Sequence, residues 1–140
     1  MRTLIRSAIF MTIFFSIFFL TSCSEGYISK DGASLKQYFE PEALKKLVEN
    51  PKDDIWIIDV RSKSAYDKKH IPTAKSFHSS TILDRLSELP KDKLLIVYCE
   101  TGGRAQMVIK KLEEKGYTKM MNWGGYTRWK WEYAKTKEKK

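Results

Sequence analysis

Cysteine and histidine are scarce: the 140 residues contain only Cys23, Cys99, His70 and His78. The two histidines with Cys99 make a poor ligand set at these spacings, so no metal is expected. Apolar runs are short as well. Crossing a bilayer takes about 20 apolar residues, and Ala8 to Leu20 is a mostly apolar run of only thirteen residues, five of them phenylalanine. Behind Arg2 and Arg6 this run has the form of a signal h-region. The alternative is an uncleaved anchor, and either reading exports the rest of the chain. Acidic residues are the minority, 17 against 26 lysines and arginines, giving a net charge of +9. Much of the excess lies in Arg128, Lys130, Lys135, Lys137, Lys139 and Lys140, which face only Glu132 and Glu138. Such a tail suits anionic headgroups or a solvated, frayed helix, and the net charge helps to draw in small anions. At a membrane a nucleic-acid partner is not expected.

What is present centres on Cys99-Glu100-Thr101-Gly102-Gly103-Arg104. The apolar run Leu94-Leu95-Ile96-Val97-Tyr98 leads into it, and Ala105 to Leu112 follows with helical spacing. A buried strand thus feeds a glycine turn, which opens a helix. A helix N-terminus has unpaired N–H groups and about half a positive charge, so it favours an anion such as a thiolate. Gly102 and Gly103 let several amides converge on one atom, and Arg104 adds a fixed charge with a planar fork of donors. The plainer alternative is a buried cysteine at a strand end before an ordinary loop.

The remaining elements follow from composition. Ser24 to Ser34 reads as a polar tether, of roughly 18 Å root-mean-square reach if it is flexible coil. Leu35 to Phe39 reads as a short edge strand. Pro41 opens a helix over Glu42 to Glu49, stopped by Asn50-Pro51. Ile55 to Ile58 is too continuously apolar for a strand with one wet face, and Asp59-Val60-Arg61 lies at its exit. Ser62 or Ser64 caps a short helix through Tyr66 and Lys68. Ala74 to Phe77 is a strand, Thr81 to Leu89 an amphipathic helix closed by Pro90, and Leu94 to Tyr98 the second interior strand. The helix after the cysteine loop ends at Gly116. Tyr117 to Asn122 is a last strand, and Gly124-Gly125 turns the chain into a tryptophan-rich helix. Strands alternate with helices and no internal repeat is present, which specifies an α/β fold with a central parallel sheet. Ligand chemistry in such sheets sits beyond the carboxyl ends of the strands, where Asp59 and Cys99 fall.

Leu20-Thr21-Ser22-Cys23 resembles the lipobox of a bacterial lipoprotein signal. The resemblance implies cleavage before Cys23, diacylglycerol on its sulfur and acylation of the new amino group. Several acyl chains make a lasting anchor. Ser24, a non-aspartate, implies sorting to the outer membrane in a diderm bacterium, facing the periplasm. The 118 residues left suit one domain, and net charge falls to +7 once Arg2 and Arg6 leave. Cys99 is then a lone thiol in an oxidising compartment without an intramolecular partner, which points to use rather than structure.

Ile58-Asp59-Val60-Arg61, Tyr66, His70-Ile71-Pro72-Thr73-Ala74, Tyr98-Cys99 with Gly102 and Arg104, then Gly124-Gly125 and Trp129 together resemble a single-domain rhodanese. Lys69, Thr73 and Ser76 depart from the family pattern around the turn before a strand. The resemblance implies a rhodanese-like three-layer α/β fold, with a mostly parallel five-stranded sheet and helices on both faces. Together with the lipobox it divides the chain into a signal peptide (1–22), lipidated cysteine and flexible tether (23–34), rhodanese domain (35–134) and basic tail (135–140). It also implies sulfur transfer through a persulfide on Cys99. Thiosulfate or a persulfide would be the donor, and cyanide, a small thiol or a protein cysteine the acceptor. No cofactor is needed. Cys99 would be the nucleophile, Arg104 an electrostatic and loop-orienting group, and Glu100, Thr101, Gly102 and Gly103 the substrate-binding loop. Asp59 and Arg61 would brace that loop. Glu100 is the awkward residue, since a carboxylate beside the nucleophile opposes both a thiolate and an anionic donor.

Three other readings compete. A Cys–His dyad would use His70 or His78, yet His70 falls in a family motif where it is structural. Phosphatases and arsenate reductases on this fold place five residues between cysteine and arginine, a cradle for a tetrahedral oxyanion. Here there are four, which suit a single sulfur atom. A membrane-tethered relay or interaction module would keep Cys99 and turn over free thiosulfate poorly.

Overall fold

A computed structural model describes residues 26–136; the signal segment, Cys23 and the end of the basic tail lie outside them. Four strands form one parallel sheet: β1 (Ile55–Asp59), β2 (Lys75–Ser76), β3 (Leu94–Cys99) and β4 (Met120–Gly125), in the spatial order β2-β1-β3-β4. β1 and β3 lie in the middle, paired from Ile55 opposite Leu94 to Asp59 opposite Tyr98. Both of their faces are covered, which is why they are apolar throughout. Ile58, Leu95, Val97 and Cys99 pack with Val108, Ile109 and Leu112 of α3 (Gly103–Glu113). Ile57, Ile96 and Tyr98 pack on the opposite face with Leu44 and Leu47 of α1 (Pro41–Glu49). A short α2 (Lys63–Lys68) follows β1, its first turn capped by Ser62, whose Oγ accepts from Ala65 N. The result is the three-layer α/β arrangement expected from the alternation of elements.

Several segments differ from the expectations above; β4, for instance, runs Met120–Gly125 and includes both glycines expected to turn the chain. Among the described residues the sheet has four strands rather than five, because Leu35–Phe39 is not an edge strand. A 3-10 helix spans Ala33–Tyr38 instead. Leu35 and Tyr38 are its buried residues, three apart, which fits a three-residue turn and not a two-residue pleat. Residues 26–34 are not a loose tether. Asn122 N donates to Tyr27 O at 2.7 Å and Ser29 N to Met120 O at 2.9 Å. The buried Ser29 hydroxyl donates to Thr118 O (2.7 Å) and accepts from Met120 N (2.6 Å), so this segment shields the outer edge of β4.

The helix expected over Thr81–Leu89 is 3-10 over Ile82–Glu88, broken at Arg85. Arg85 is held away from regular helix by its bonds to Ser76 O and the Glu88 carboxylate. The tryptophan-rich helix reduces to one turn, Tyr126–Arg128. Tyr133 Oη donates to the carbonyls of Tyr126 and Trp129, acceptors that a continuing helix would need. Beyond this turn the chain runs back to α2, where His70 and Ala134 exchange backbone hydrogen bonds.

Candidate functional site

Cys99 is the last residue of β3 and is 1% exposed. The chain turns through Glu100 and Thr101 to Gly102, the N-cap of α3, which has φ +101°. That left-handed backbone is accessible to glycine without strain, and it lets the Gly102 N–H donate to Cys99 Sγ at 3.0 Å. A side chain there would meet a second obstacle, since a β-carbon would lie 3.1 Å from Gly124 Cα. Gly102 supplies the amide bonded to Sγ among the described residues. The next three N–H groups of α3, on Gly103, Arg104 and Ala105, have no intrahelical acceptor by helix geometry.

β4 supplies a clamp that the sequence does not advertise. The pairing with β3 slips where Val97 faces Asn122 but Tyr98 faces Gly124, leaving Trp123 as the extra residue of a bulge. The buried Asn122 side chain donates to Gly102 O (3.1 Å) and Gln106 Oε1 (3.2 Å), and accepts from Gly124 N (2.9 Å). It ties the cysteine turn, the first turn of α3 and the bulge into one unit. The Trp123 Nε1 is buried and has no hydrogen-bond partner among the described residues.

Asp59 and Arg61 meet as a buried pair, 0% and 2% exposed. Arg61 donates to the Asp59 carboxylate through Nε (3.1 Å) and Nη2 (2.7 Å), and its backbone N–H adds a bond at 2.9 Å. Nη2 also reaches Lys69 O at 2.7 Å. Burial opposes the charge on Arg61, but the hydrogen-bonded Asp59 outweighs it and holds the guanidinium pKa above its usual value. The remaining arm, Nη1, lies 3.7 Å from Glu100 Oε2. Glu100 is therefore drawn toward Arg61, and its charge beside the nucleophile is partly offset. The Arg61 guanidinium also stacks 4.2 Å from the Tyr126 ring centre.

Arg104 lies in the first turn of α3, half-buried, with no hydrogen bond or ion pair among the described residues. Neither histidine hydrogen-bonds the sulfur. His70 stacks on Tyr66 at 3.8 Å, with Nδ1 against Tyr66 O. His78 Nδ1 pairs with Ser80 Oγ. Cys23 lies outside the described residues.

Glu100, Thr101, Gly102 and Gly103 help to line an open groove of about 780 Å³. Tyr27, Phe39, Gln106, Asn122, Trp123 and Arg128 are among its other lining residues. The Arg128 guanidinium is sandwiched between Phe39 (4.2 Å) and Trp123 (4.6 Å) and donates to the backbone carbonyls of both residues. From sequence, Arg128 reads only as one charge of a basic tail and Asn122 as a strand residue.

Comparisons with known proteins find sulfurtransferases and rhodanese-like domains. A thiosulfate sulfurtransferase, GlpE, from Coxiella burnetii is 32% identical over 80 residues, covering 56% of this chain and 75% of that protein. A sulfurtransferase from Allochromatium vinosum is 31% identical over 78 residues, 55% of this chain and 73% of the other. The solved structure of a rhodanese-like domain protein from Staphylococcus aureus superposes with a TM-score of 0.61 at 28% identity, covering 69% of this chain and 95% of that one. The model of the rhodanese-like domain family matches residues 40–132, so the chain belongs to that family.

Proposed function

We propose that the chain is a sulfurtransferase that carries sulfane sulfur as a persulfide on Cys99. The observation behind this is the Gly102 N–H bonded to Cys99 Sγ, with three more helix-terminal amides next in line. The Cys99 thiolate attacks the outer sulfur of thiosulfate. The S–S bond of the donor breaks, and sulfite leaves with the electron pair. The negative charge then sits on the outer sulfur of the persulfide, where the amides of Gly103 to Ala105 stabilise it. An acceptor thiolate or cyanide attacks that outer sulfur and returns Cys99 as a thiolate. Asp59 and Arg61 hold the loop in place and moderate Glu100, and Asn122 fixes its far side. Arg104 adds positive charge to the first helical turn. The enzyme leaves each half-reaction in a defined covalent state, so thiocyanate formation from thiosulfate and cyanide is expected to be ping-pong, with parallel double-reciprocal lines. Intersecting lines would show that both substrates must be bound together and would overturn the persulfide carrier.

The lipobox at Leu20–Cys23 supports export and anchoring by lipid on Cys23, facing the periplasm from the outer membrane in a diderm source. The described fold includes Gly26, which is close to Cys23 along the chain. Cys23 and Gly26 are three residues apart, at most about 11 Å of extended chain. The groove, which Gly26 helps to line, would then open near the bilayer surface. Cys23→Ala is expected to move the protein from the membrane fraction to the soluble fraction, and a variant that still pellets with membranes contradicts the lipid anchor.

A further inference from the structure

Thiosulfate has five heavy atoms, whereas a groove of about 780 Å³ falls in the range that holds a ligand several times larger. Something other than thiosulfate accounts for its size, and its side chains indicate what. Arg128 is pinned between two aromatic rings and two carbonyls, so its orientation is fixed before any ligand arrives. Among the described residues it forms no ion pair with a carboxylate; Glu40 is near enough to act through space only. Burial lowers its pKa from the usual guanidinium value, the mark of a cation that lacks a close counter-charge. Two N–H donors go to the carbonyls of Trp123 and Phe39, leaving part of the five-donor fork unused.

Contacts between neighbours connect this cation to the sulfur. A β-carbon on Gly124 would lie 3.6 Å from Arg128 Nη1, and one on Gly102 would lie 3.1 Å from Gly124 Cα. The Gly102 N–H is bonded to Sγ. Arg128 thus packs against Gly124, which packs against Gly102 in the loop that holds the nucleophile. Tyr27 and Phe39 offer apolar surface to a carbon skeleton, and Gln106 Nε2 makes no hydrogen bond among the described residues.

We propose that Arg128 binds the carboxylate of a low-molecular-weight thiol that takes sulfur from Cys99, so that the preferred acceptor is an anionic, amino-acid-sized or peptide-sized thiol. This rests on the persulfide mechanism above and specifies its second half-reaction. The acceptor thiolate attacks the outer sulfur of the Cys99 persulfide. The S–S bond to Sγ breaks, Cys99 leaves with the electron pair as a thiolate, and the acceptor departs as a persulfide. A planar carboxylate matches the arginine fork, and the pairing orients the thiol toward the loop.

The test uses the purified full chain loaded with thiosulfate, with loss of the extra sulfur followed by intact mass. N-acetylcysteine and N-acetylcysteinamide serve as acceptors, since they differ only in carboxylate against neutral amide. The ratio of their rates is taken within each protein, so a smaller folded fraction cancels. The wild-type ratio is expected to exceed that of R128Q by about tenfold, the effect of one charge-assisted contact partly open to water. R128K should restore part of the difference. An equal ratio in wild type and R128Q overturns the assignment. Slower loading by thiosulfate in R128Q with an unchanged thiol ratio also overturns it, by placing the donor's sulfonate on Arg128. Failure of every variant, wild type included, to gain sulfur overturns the persulfide mechanism itself, and this assignment with it.

Discussion

Replacing Cys99 by serine is expected to reduce thiosulfate-dependent sulfur transfer by about 10³-fold or more, because the whole route passes through one sulfur atom. A serine hydroxyl is a poor nucleophile toward sulfur and cannot form the carrier S–S bond. The loss should be chemical and not structural. Cys99 is buried among Ala105 and Val108, and the one hydrogen bond to its sulfur among the described residues comes from the Gly102 amide, which an Oγ can also accept. A stability change within about 1–2 kcal/mol is therefore expected for this small substitution. Thiocyanate production and urea unfolding, measured on the same preparation, separate the two effects. A serine variant with undiminished turnover contradicts the mechanism.

Asp59→Ala should have the largest effect on stability. It leaves the Arg61 guanidinium, 2% exposed, without the carboxylate that takes three of its side-chain hydrogen bonds. Glu100, 3.7 Å away with a side chain 48% exposed, is too distant and too hydrated to replace it. Breaking a buried pair from one side costs about 3–5 kcal/mol, because the remaining charge is stranded in a low dielectric. For a domain of this size that is a fall in Tm of more than about 10 °C. The double variant Asp59→Leu/Arg61→Met should recover much of the loss, since it strands no charge. Unfolding followed by tryptophan fluorescence reads both, Trp123 being fully buried. A cost below about 1 kcal/mol for Asp59→Ala would show that the pair is not a brace.

The two central strands were legible because their burial is expressed as unbroken apolar runs, Ile55 to Ile58 and Leu94 to Tyr98. Local chemistry marked several ends equally clearly. Pro41 opens α1, Ser62 caps α2, and Gly116 takes φ +84° after α3. The misread segments share a different cause, since tertiary hydrogen bonds decided their conformation. Ser29 and Tyr27 look like tether residues until β4 offers them partners. The Tyr126–Tyr133 stretch has helix-compatible residues, but Tyr133 and Arg128 take carbonyls from the backbone.

The candidate site divides in the same way. Cys99, the glycine turn, Asp59 and Arg61 lie close to one another in sequence or at the ends of recognisable strands. Asn122 and Arg128 act across the fold, 20 residues from Gly102 and 89 from Phe39 respectively. No spacing rule links such distant positions. The one available signal is that Asn122 directly precedes Trp123-Gly124-Gly125, where a strand must loosen.

Intact-mass spectrometry of the purified protein before and after thiosulfate tests the central claim most directly. The account predicts a gain of one sulfur atom that cyanide removes and that Cys99→Ser does not acquire. A wild-type protein that gains nothing, or a serine variant that gains the same mass, would contradict it.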